Sequence, residues 1–398
     1  MANPEILCVI PARGGSRGIP RKNLAPVGGR PLVGHAIEQA LGAETVTRVV
    51  VSTDDPEIAA TARRWGAGVV DRPAELAGDL ASSEAALLHT LETLERDQAY
   101  RPELLVFLQC TAPLTTAADI DGTVRALLDA GADSAFAAAP SHAFLWKQGA
   151  RGEAAAVNHD PGERLRRQDR EPEYVEAGSV YVMRAAGFRA ARHRFFGACV
   201  LHPVARERLL EVDDPVDLLH AQIALQERAR SQRLALLPAR PAALVLDFDG
   251  VLTDNTVVTD QDGRESVRCS RGDGMGIERL ATRGVPVLVL SKERNPVVTA
   301  RCAKLGVPCV QGLEDKASAL AAWLAERALD PAHVVYLGND ANDAACLQAV
   351  GCGVVVADAH HSVLPLARFV LDAPGGRGAV RELTDLIEAR LNPGGGAT

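Results

Sequence analysis

Short apolar segments alternate with helix-like segments along most of the chain, and this alternation limits the possible folds more than any other feature. The chain starts with a strand-like run from Ile6 to Ile10, a segment with helical spacing from Pro31 to Leu41, and a second strand-like run from Val46 to Ser52. Strands separated by helices usually pair in parallel, with helices covering the sheet. The pattern therefore predicts an α/β fold, in which ligands bind where the strands end.

The same alternation continues downstream with one interruption. It predicts strands at Gly68–Val70 and Leu104–Gln109, and helices at residues 84–96, 119–130 and about 215–230. Between residues 140 and 200 two β-like runs, Ser179 to Met183 and Phe195 to Val200, lie among polar loops. We expect this segment to form an inserted β-lobe that covers the cleft.

A loop rich in glycines and cations follows the first predicted strand. Glycines allow the backbone to approach a ligand closely and to turn its N–H groups toward an anion. The spacing matches neither a Walker A loop nor a G-x-G-x-x-G fingerprint, which argues against a P-loop NTPase or a dehydrogenase. We predict an anion site whose cations include Arg13, Arg17, Arg21 and Lys22.

Charge and cysteine content exclude several classes of protein. The 398 residues carry a net charge of −8 and have a pI near 5.7, which does not suit a general nucleic-acid binder. No stretch has the character of a signal peptide or the length to cross a bilayer. The eight cysteines contain no C-x-x-C pair. We expect a cytoplasmic protein without disulfides and without a nucleic-acid or membrane partner.

An acidic cluster precedes the helix predicted from about Pro215. Glu211 and Asp213 are alternate carboxylates after a short strand, and they suit a hard cation such as Mg²⁺. Capping of the helix is the other interpretation of such residues, and we assign that role to Asp214. A polar helix end with two prolines then marks a boundary, giving domains at residues 1–235 and 236–398.

The second half contains an apolar strand that ends in Asp247-Phe248-Asp249. Carboxylates two positions apart on an extended chain point the same way, so one can attack phosphorus while the other moves a proton. Three further segments provide a hydroxyl at Ser291, a cation at Lys316 and the carboxylates of Asp340 and Asp343.

Ordered motifs in the first half carry a family resemblance. They are the loop from Ala12 to Asn23, Arg72-Pro73, Ala81-Ser82-Ser83, Leu108 to Leu114, Arg167-Gln168, Gly178 to Tyr181, Phe195-Phe196 and Glu211-Val212-Asp213. Residues 5 to about 228 thereby resemble the CMP-sialic acid synthetases, or N-acylneuraminate cytidylyltransferases. That resemblance implies transfer of CMP from CTP to a nonulosonic acid, with Mg²⁺ and release of pyrophosphate.

The resemblance also implies site residues. Arg13, Lys22 and Asn23 would hold CTP, with Ala12, Ser16 and Arg17 in the same binding loop. Arg72 and Ser83 would lie near the base and ribose, and Asp213 with Glu211 would bind the metal. The sugar-acid pocket would be lined by Gln109, Arg167, Tyr181, Phe195 and Phe196.

Residues 242 to about 390 resemble the haloacid-dehalogenase phosphatases, and within them the Kdo-8-phosphate phosphatase branch. Besides the Asp247 strand end, the shared segments are Arg271-Gly272-Asp273-Gly274 and Gly375 to Glu382. The resemblance implies that Asp247 is the nucleophile, that Asp249 is the acid/base, and that Ser291 and Lys316 hold the phosphoryl group. It assigns Mg²⁺ to Asp247, the Asp249 carbonyl and Asp340.

The two resemblances together imply two Rossmann-like domains: a nucleotidyltransferase domain with an inserted β-lobe and a haloacid-dehalogenase-like domain with a small cap near residues 256–267. They further imply a homotetramer through the C-terminal domain, and a phosphatase acting on a nonulosonate 9-phosphate. Three alternatives stay open. In the first, the C-terminal domain is a silent oligomerisation module. In the second, the sugar acid is Kdo. In the third, the chain binds nucleotide without transferring it.

Overall fold

The most apolar strands lie at the centre of two separate sheets, one in each half of the chain. A computed structural model describes residues 4–16, 18–78 and 81–392. It divides into two compact units, Met1–Gln226 and Glu227–Thr398. The division falls inside a helix, Pro215–Leu236, nine residues before the boundary that we predicted between residues 235 and 236. That boundary stays a prediction.

The first unit has the predicted alternation of strands and helices. In chain order its elements are β1 (Ile6–Pro11), β2 (Pro26–Val27), β3 (Arg30–Pro31), α1 (Leu32–Gly42), β4 (Arg48–Thr53), α2 (Pro56–Arg64), β5 (Gly68–Asp71), α3 (Ser83–Gln98), β6 (Leu104–Leu108), α4 (Ala117–Asp129), β7 (Ser134–Ser141), β8 (Trp146–Gln148), β9 (Ala154–Ala156), β10 (Glu173–Arg184), α5 (Ala185–Ala191), β11 (Cys199–Pro203) and α6 (Pro215–Leu236).

Within the described residues, seven of these strands form one sheet in the order β11-β7-β10-β6-β1-β4-β5. Strand β1 pairs in parallel with β4 and β6, so their carboxyl ends meet at one edge. Successive side chains of β1 enter opposite layers, because a strand alternates its faces. Ile6, Cys8 and Ile10 pack with α1 and α4, and Leu7 and Val9 pack with α3.

The helix starts follow the capping residues in the sequence. Asp55 accepts hydrogen bonds from the backbone N–H groups of the first turn of α2, at 2.8 and 3.0 Å. Ser82 accepts from the N–H of Ala85 in α3. Asp214 accepts from Val216 and Asp217 at the start of α6, at 2.7 and 3.0 Å. The capping role predicted for Asp214 is therefore confirmed.

The two β-like runs of residues 140–200 lie elsewhere than we expected. Ser179 to Met183 belongs to β10, which is buried in the main sheet and antiparallel to both β6 and β7. The second run contributes only its end, to β11. An antiparallel strand needs no crossover helix, so the break in the alternation did not mean that the strand had left the sheet. The separate hairpin in this segment is β8–β9.

The second unit contains a second parallel sheet. Its elements are β12 (Ala243–Leu246), β13 (Thr253–Thr259), β14 (Glu265–Cys269), α7 (Arg271–Thr282), β15 (Val287–Leu290), α8 (Val297–Leu305), β16 (Cys309–Val310), α9 (Lys316–Glu326), β17 (Val334–Gly338), α10 (Ala344–Ala349), β18 (Cys352–Val355), β19 (Phe369–Val370) and α11 (Ala379–Leu391). In the described part of the chain six strands pair in the order β16-β15-β12-β17-β18-β19.

Among the described residues every strand pairing of this second sheet is parallel, so its strand ends also share one edge. Helices α7, α8 and α11 cover one face, and α9 with α10 cover the other. The predicted cap is present as the antiparallel hairpin β13–β14. A search of residues 4–16, 18–78 and 81–392 finds no helix that is both long and apolar enough to cross a membrane.

Candidate active sites

A cavity of about 390 Å³ opens at the carboxyl edge of the first sheet. The loop after β1, the residue after β5, the start of α3 and the segment after β6 form its walls, as expected for ends of parallel strands. Eight of the residues that we predicted from the sequence line it: Arg13, Ser16, Lys22, Asn23, Arg72, Ser83, Gln109 and Asp213.

Hydrogen bonds from neighbouring segments hold the glycine-rich loop in place. The N–H of Ala12 donates to the carbonyl of Ser52 at 2.9 Å, so the loop begins as a continuation of the sheet. Further along, the N–H of Gly14 donates to Asp54, and the Asn23 amide donates to the carbonyl of Arg13. Asn23 thus shapes the loop from a buried position.

Arg21 does not face the cavity. Its guanidinium donates to Glu57 at 2.5 Å and lies 3.9 Å from Asp55, so it is directed to the start of α2. Its backbone has φ 56, a left-handed conformation that turns the chain toward the next residue. Arg17 lies outside the described residues. Of the four predicted loop cations, Arg13 and Lys22 are therefore the ones that the structure places on the cavity.

Lys22 connects the loop to the acidic cluster before α6. Its ammonium group donates to the carbonyl of Val212 at 2.8 Å and to Asp213 at 3.0 Å. The lysine side chain is 15% exposed and that of Asp213 is 73% exposed, so the pair opens toward solvent on the carboxylate side. A phosphate and a divalent cation are both able to reach this pair.

Arg72 lies at the back of the cavity with 8% of its surface exposed. Its guanidinium donates to the carbonyl and hydroxyl oxygens of Ser52. Burial lowers the pKa of Arg72, the Asp54 carboxylate opposes this shift, and Arg13 adds to it. An arginine remains protonated despite such a shift, so two positive charges, those of Arg13 and Arg72, lie on one wall.

The remaining predicted residues of the first site do not line this cavity. Arg167 is exposed in a short 3₁₀ turn, and Tyr181 is buried with its hydroxyl donating to Glu176. Phe195 packs edge-on against Phe136 and Tyr181, with ring centroids 5.3 and 6.0 Å apart. The others outside the lining are Ala12, Phe196 and Glu211.

Glu211 is nevertheless close to the acidic wall. Its side chain occupies the space above Gly178, where an added Cβ would lie 1.2 Å from the Glu211 Oε1. Burial raises the pKa of Glu211, and the neighbouring carboxylates of Asp213 and Glu176 raise it further. A cation bound here would relieve this repulsion, so the donors fit a hard metal ion.

Several lining residues were missed. Ser82 and Thr111 are polar and lie inside the motifs Ala81-Ser82-Ser83 and Leu108 to Leu114. Their position beside the predicted residues Ser83 and Gln109 is the signal that could have identified them. Phe107 and Leu76 gave no comparable signal, because an apolar residue in a strand or turn is ordinarily core. The rest of the lining comprises Pro11, Gly18, Gly78, Ala81 and Cys110.

The second unit has a cavity of about 640 Å³ at the corresponding edge of its sheet. Four predicted residues line it: Asp247, Asp249, Ser291 and Asp340. The wall also contains seven residues that were not predicted, which are Asn255, Lys292, Glu293, Arg294, Glu314, Asn339 and Asn342. Charged and amide residues are so common in loops that the sequence alone does not mark these seven as lining residues.

Lys316 lies behind this wall and joins two buried carboxylates. Its ammonium group is 2.7 Å from Asp247 and 2.9 Å from Asp343, and the three side chains are at most 4% exposed. Asp343 also accepts from the Tyr336 hydroxyl at 2.7 Å and from the N–H of Asn339 at 2.9 Å. The network fixes Lys316 against the predicted nucleophile.

Burial dominates the electrostatics of this site. It raises the pKa of Asp247, the Asp343 carboxylate raises it further, and Lys316 opposes both effects. For Lys316, burial lowers the pKa, but the two carboxylates outweigh it and the net shift is upward. Burial, followed by Glu293, also raises the pKa of Asp249, which favours a carboxyl that holds a proton.

The donors for a metal ion at the second site are few but suitable. Asp247 and Asp340 offer carboxylate oxygens, and the Oδ1 of Asn339 is buried without a hydrogen-bond partner. Within the described residues no three side chains of His, Cys, Asp or Glu are grouped closely enough to hold a metal ion. This set matches Mg²⁺, which typically takes one or two carboxylates and completes its shell with water and phosphate oxygens.

Comparison with known proteins assigns a family to each unit. The family model described as cytidylyltransferase matches residues 7–198. The model described as haloacid dehalogenase-like hydrolase matches residues 311–382. The two matches follow the order expected from the sequence motifs, and they support the predicted fold class of two Rossmann-like domains.

The Danio rerio and Salmonella typhi relatives agree with this division. N-acylneuraminate cytidylyltransferase A of Danio rerio is 31% identical over 391 residues, covering 96% of this chain and 88% of the relative. The 3-deoxy-D-manno-octulosonate 8-phosphate phosphatase KdsC of Salmonella typhi is 39% identical over 145 residues, covering 36% of this chain and 77% of the relative. A putative HAD family hydrolase of Streptomyces avermitilis, solved by crystallography, is 47% identical over 38% of this chain and 88% of its own, with TM-score 0.37.

Proposed function

Since the chain belongs to the N-acylneuraminate cytidylyltransferase family, we propose that its first unit transfers CMP from CTP to a nonulosonic acid of the sialic type. The observation that carries the proposal is the cavity at the first sheet edge, which is lined by Arg13, Lys22, Arg72 and Asp213. Three cations beside an exposed carboxylate suit a triphosphate accompanied by a divalent cation.

The reaction joins the anomeric oxygen of the acid to the α-phosphorus of CTP and breaks the bond to pyrophosphate. Arg13 and Lys22 neutralise negative charge that builds up on the phosphate oxygens. Asp213, with Glu211 beside it, would hold Mg²⁺, which supplies further charge neutralisation. Because Lys22 is already hydrogen-bonded to Asp213, binding of the triphosphate and of the cation should be coupled at this pair.

We extend the proposal to the second unit as a phosphatase for a nonulosonate 9-phosphate, whose product would be the acid that the first unit activates. The supporting observation is Lys316, held 2.7 Å from Asp247 at the wall of the second cavity. Asp247 attacks phosphorus, and Asp249 protonates the departing sugar oxygen and later activates the hydrolytic water. Lys316 and Ser291 stabilise the phosphoryl oxygens, and Asp247, Asp340 and the Asp249 carbonyl would hold Mg²⁺.

Both reactions use water-soluble phosphorylated substrates, and we propose that they take place in the cytoplasm, in keeping with cysteines that are free throughout the described chain. We also propose a homotetramer assembled through the second unit. The cap hairpin supports it, because Val257 and Val258 are 52% and 66% exposed there. Light scattering of the intact chain, and of a variant with both valines replaced by serine, tests the assembly.

The transferase is tested by pyrophosphate release from CTP with N-acetylneuraminate, legionaminate, deaminated neuraminate and Kdo. We expect turnover with at least one nine-carbon acid and loss of turnover in Lys22→Met. Absence of turnover with every acid would show that the chain binds nucleotide without transferring it. A preference for Kdo would reassign the sugar acid but keep the reaction.

The phosphatase is tested by phosphate release from a nonulosonate 9-phosphate, with Kdo 8-phosphate as the comparison substrate. We expect the wild type to release phosphate and Asp247→Asn to release none above background. Equal, slow release by both proteins would instead indicate an oligomerisation module. The CTP-dependent activity of Asp247→Asn serves as the internal control for folding.

A further inference from the structure

Arg194 lies outside the first cavity, in the loop between α5 and β11, yet it contacts two elements that line the cavity and a third strand, β10, that pairs with one of them. Its Nε donates to Glu84 at 2.7 Å. Its guanidinium carbon lies 4.8 Å from the ring centroid of Phe107 and 4.6 Å from that of Tyr181. One side chain thus joins the first turn of α3 to strands β6 and β10.

Two of these contacts lead to the cavity within one or two residues. Glu84 directly follows Ser83, which lines the cavity at the start of α3. Phe107 lines it as well and stands two positions before Gln109. The position of Arg194 therefore sets the spacing between the serine wall and the glutamine wall.

The third contact extends to the rim of the site. Tyr181 stacks on Phe107 with a centroid distance of 5.3 Å and an interplanar angle of 19°. Its hydroxyl donates to Glu176, the carboxylate that contributes to the raised pKa of Glu211. Arg194 therefore supports the Phe107–Tyr181 pair, and the hydroxyl of Tyr181 in turn holds Glu176.

The geometry requires an arginine in particular. The Arg194 and Glu84 side chains are 17% and 13% exposed, so their ion pair is largely shielded from water. A planar guanidinium can stack on two rings and donate at the same time, whereas a lysine ammonium offers only a point charge. A conservative substitution would keep the charge but lose the fit between the two walls.

We propose that Arg194 is a positioning residue for the sugar acid, acting through Glu84 and the Phe107–Tyr181 pair. The inference rests on the proposed cytidylyl transfer. The resemblance assigns Ser83 to the nucleotide but Gln109 and Tyr181 to the acid, so two of the three contacts of Arg194 lie on the acid side. The cations predicted to hold the CTP phosphates lie on the glycine-rich loop, whereas these contacts of Arg194 are with α3, β6 and β10. Loss of Arg194 should therefore weaken binding of the acid more than binding of CTP.

The test compares Arg194→Lys with the wild type in steady-state pyrophosphate release. We expect the KM for the sugar acid to rise about tenfold, with the KM for CTP and kcat changed by about threefold or less. Glu84→Gln should raise the same KM by a smaller factor, because a neutral amide still accepts a hydrogen bond. Titration calorimetry of the acid with each protein gives the Kd ratio independently of turnover.

Arg189→Lys is the matched control. Arg189 also bridges α5 to α3, through Glu95 at 2.9 Å, but it contacts the far end of that helix. We expect its KM values and Kd to equal those of the wild type. The inference is overturned if Arg194→Lys leaves the KM and the Kd for the acid unchanged, or if it lowers kcat alone. An inactive wild type would contradict the proposed function, and the calorimetric ratio would still decide the role of Arg194.

Discussion

Gly178→Ala is the substitution for which the structure predicts the most specific effect. Gly178 has φ 63, and an alanine Cβ there would lie 1.2 Å from the Oε1 and 2.4 Å from the Cδ of Glu211. The alanine would be strained by its backbone conformation, and Glu211 would also be forced away from its position beside Asp213. The two effects can be separated experimentally.

The expected loss of stability follows from these two terms. A left-handed conformation costs an alanine about 1–2 kcal/mol relative to glycine. Moving Glu211 out of its rotamer adds about 0.5–1.5 kcal/mol. Gly178→Ala should therefore lower the free energy of unfolding of the first unit by about 1.5–3.5 kcal/mol.

Gly131→Ala isolates the backbone term. Gly131 has φ 59, nearly the same as Gly178, and an added Cβ there meets no atom within 4 Å. This control should lose only about 1–2 kcal/mol. In a Glu211→Ala background, Gly178→Ala should lose the same amount as the control, because the collision is gone.

Urea unfolding measures these differences. A Trp323→Phe background leaves Trp65 and Trp146, so that tryptophan fluorescence reports only the first unit. Pyrophosphate release should fall at least about tenfold in Gly178→Ala, since displacement of Glu211 misplaces the acidic wall. Gly131→Ala should retain wild-type release. Equal losses of stability in Gly178→Ala and Gly131→Ala, with no change in the Glu211→Ala background, would refute the contact.

Three further outcomes follow from the contacts of single side chains. Arg21→Ala should leave the KM for CTP within twofold of wild type and cost at most about 1 kcal/mol, because Arg21 pairs with Glu57 at the surface; a large rise in that KM would place it on the triphosphate. Lys316→Met should abolish phosphate release and destabilise the second unit by about 3–5 kcal/mol, since Asp247 would stay buried without its partner. A loss of stability below about 1 kcal/mol, measured by unfolding that is followed through Trp323 fluorescence, would contradict this. Asp55→Ala should cost about 1 kcal/mol through loss of the α2 cap, measured by thermal unfolding, and an unchanged midpoint would argue against the cap.

The predictable part of the fold is the part determined by local periodicity. The run Ile6–Ile10 is apolar on both faces, and it became a buried parallel strand at nearly the predicted position. Strand β10 was harder, because only half of its length is buried and its antiparallel pairing depends on partners far along the chain. Sequence periodicity carries no information about such pairing.

The same distinction applies to the candidate sites. Lys22 and Asp247 stand in motifs with few alternative uses, so their placement on cavities was predictable. The expectation for Tyr181 came from resemblance, and the structure places that side chain in the core with its hydroxyl on Glu176. Arg194 gave no signal at all, because its partner Glu84 is 110 positions away.

The two lysine–carboxylate pairs have similar distances but differ in burial, and burial determines how strongly each pair is held. Lys22 lies 3.0 Å from Asp213, whose side chain is 73% exposed, whereas Lys316 lies 2.7 Å from Asp247, which is 4% exposed. Exposed pairs contribute at most about 1 kcal/mol, whereas breaking a buried pair by removing one partner costs about 3–5 kcal/mol. We therefore expect the Lys22 pair to open and admit phosphate and a cation during the proposed transfer. In the proposed phosphatase cycle Asp247 loses its carboxylate charge when it is phosphorylated, whereas Asp343 keeps its contact with Lys316. We therefore expect the lysine to stay a fixed part of the proposed phosphoryl site.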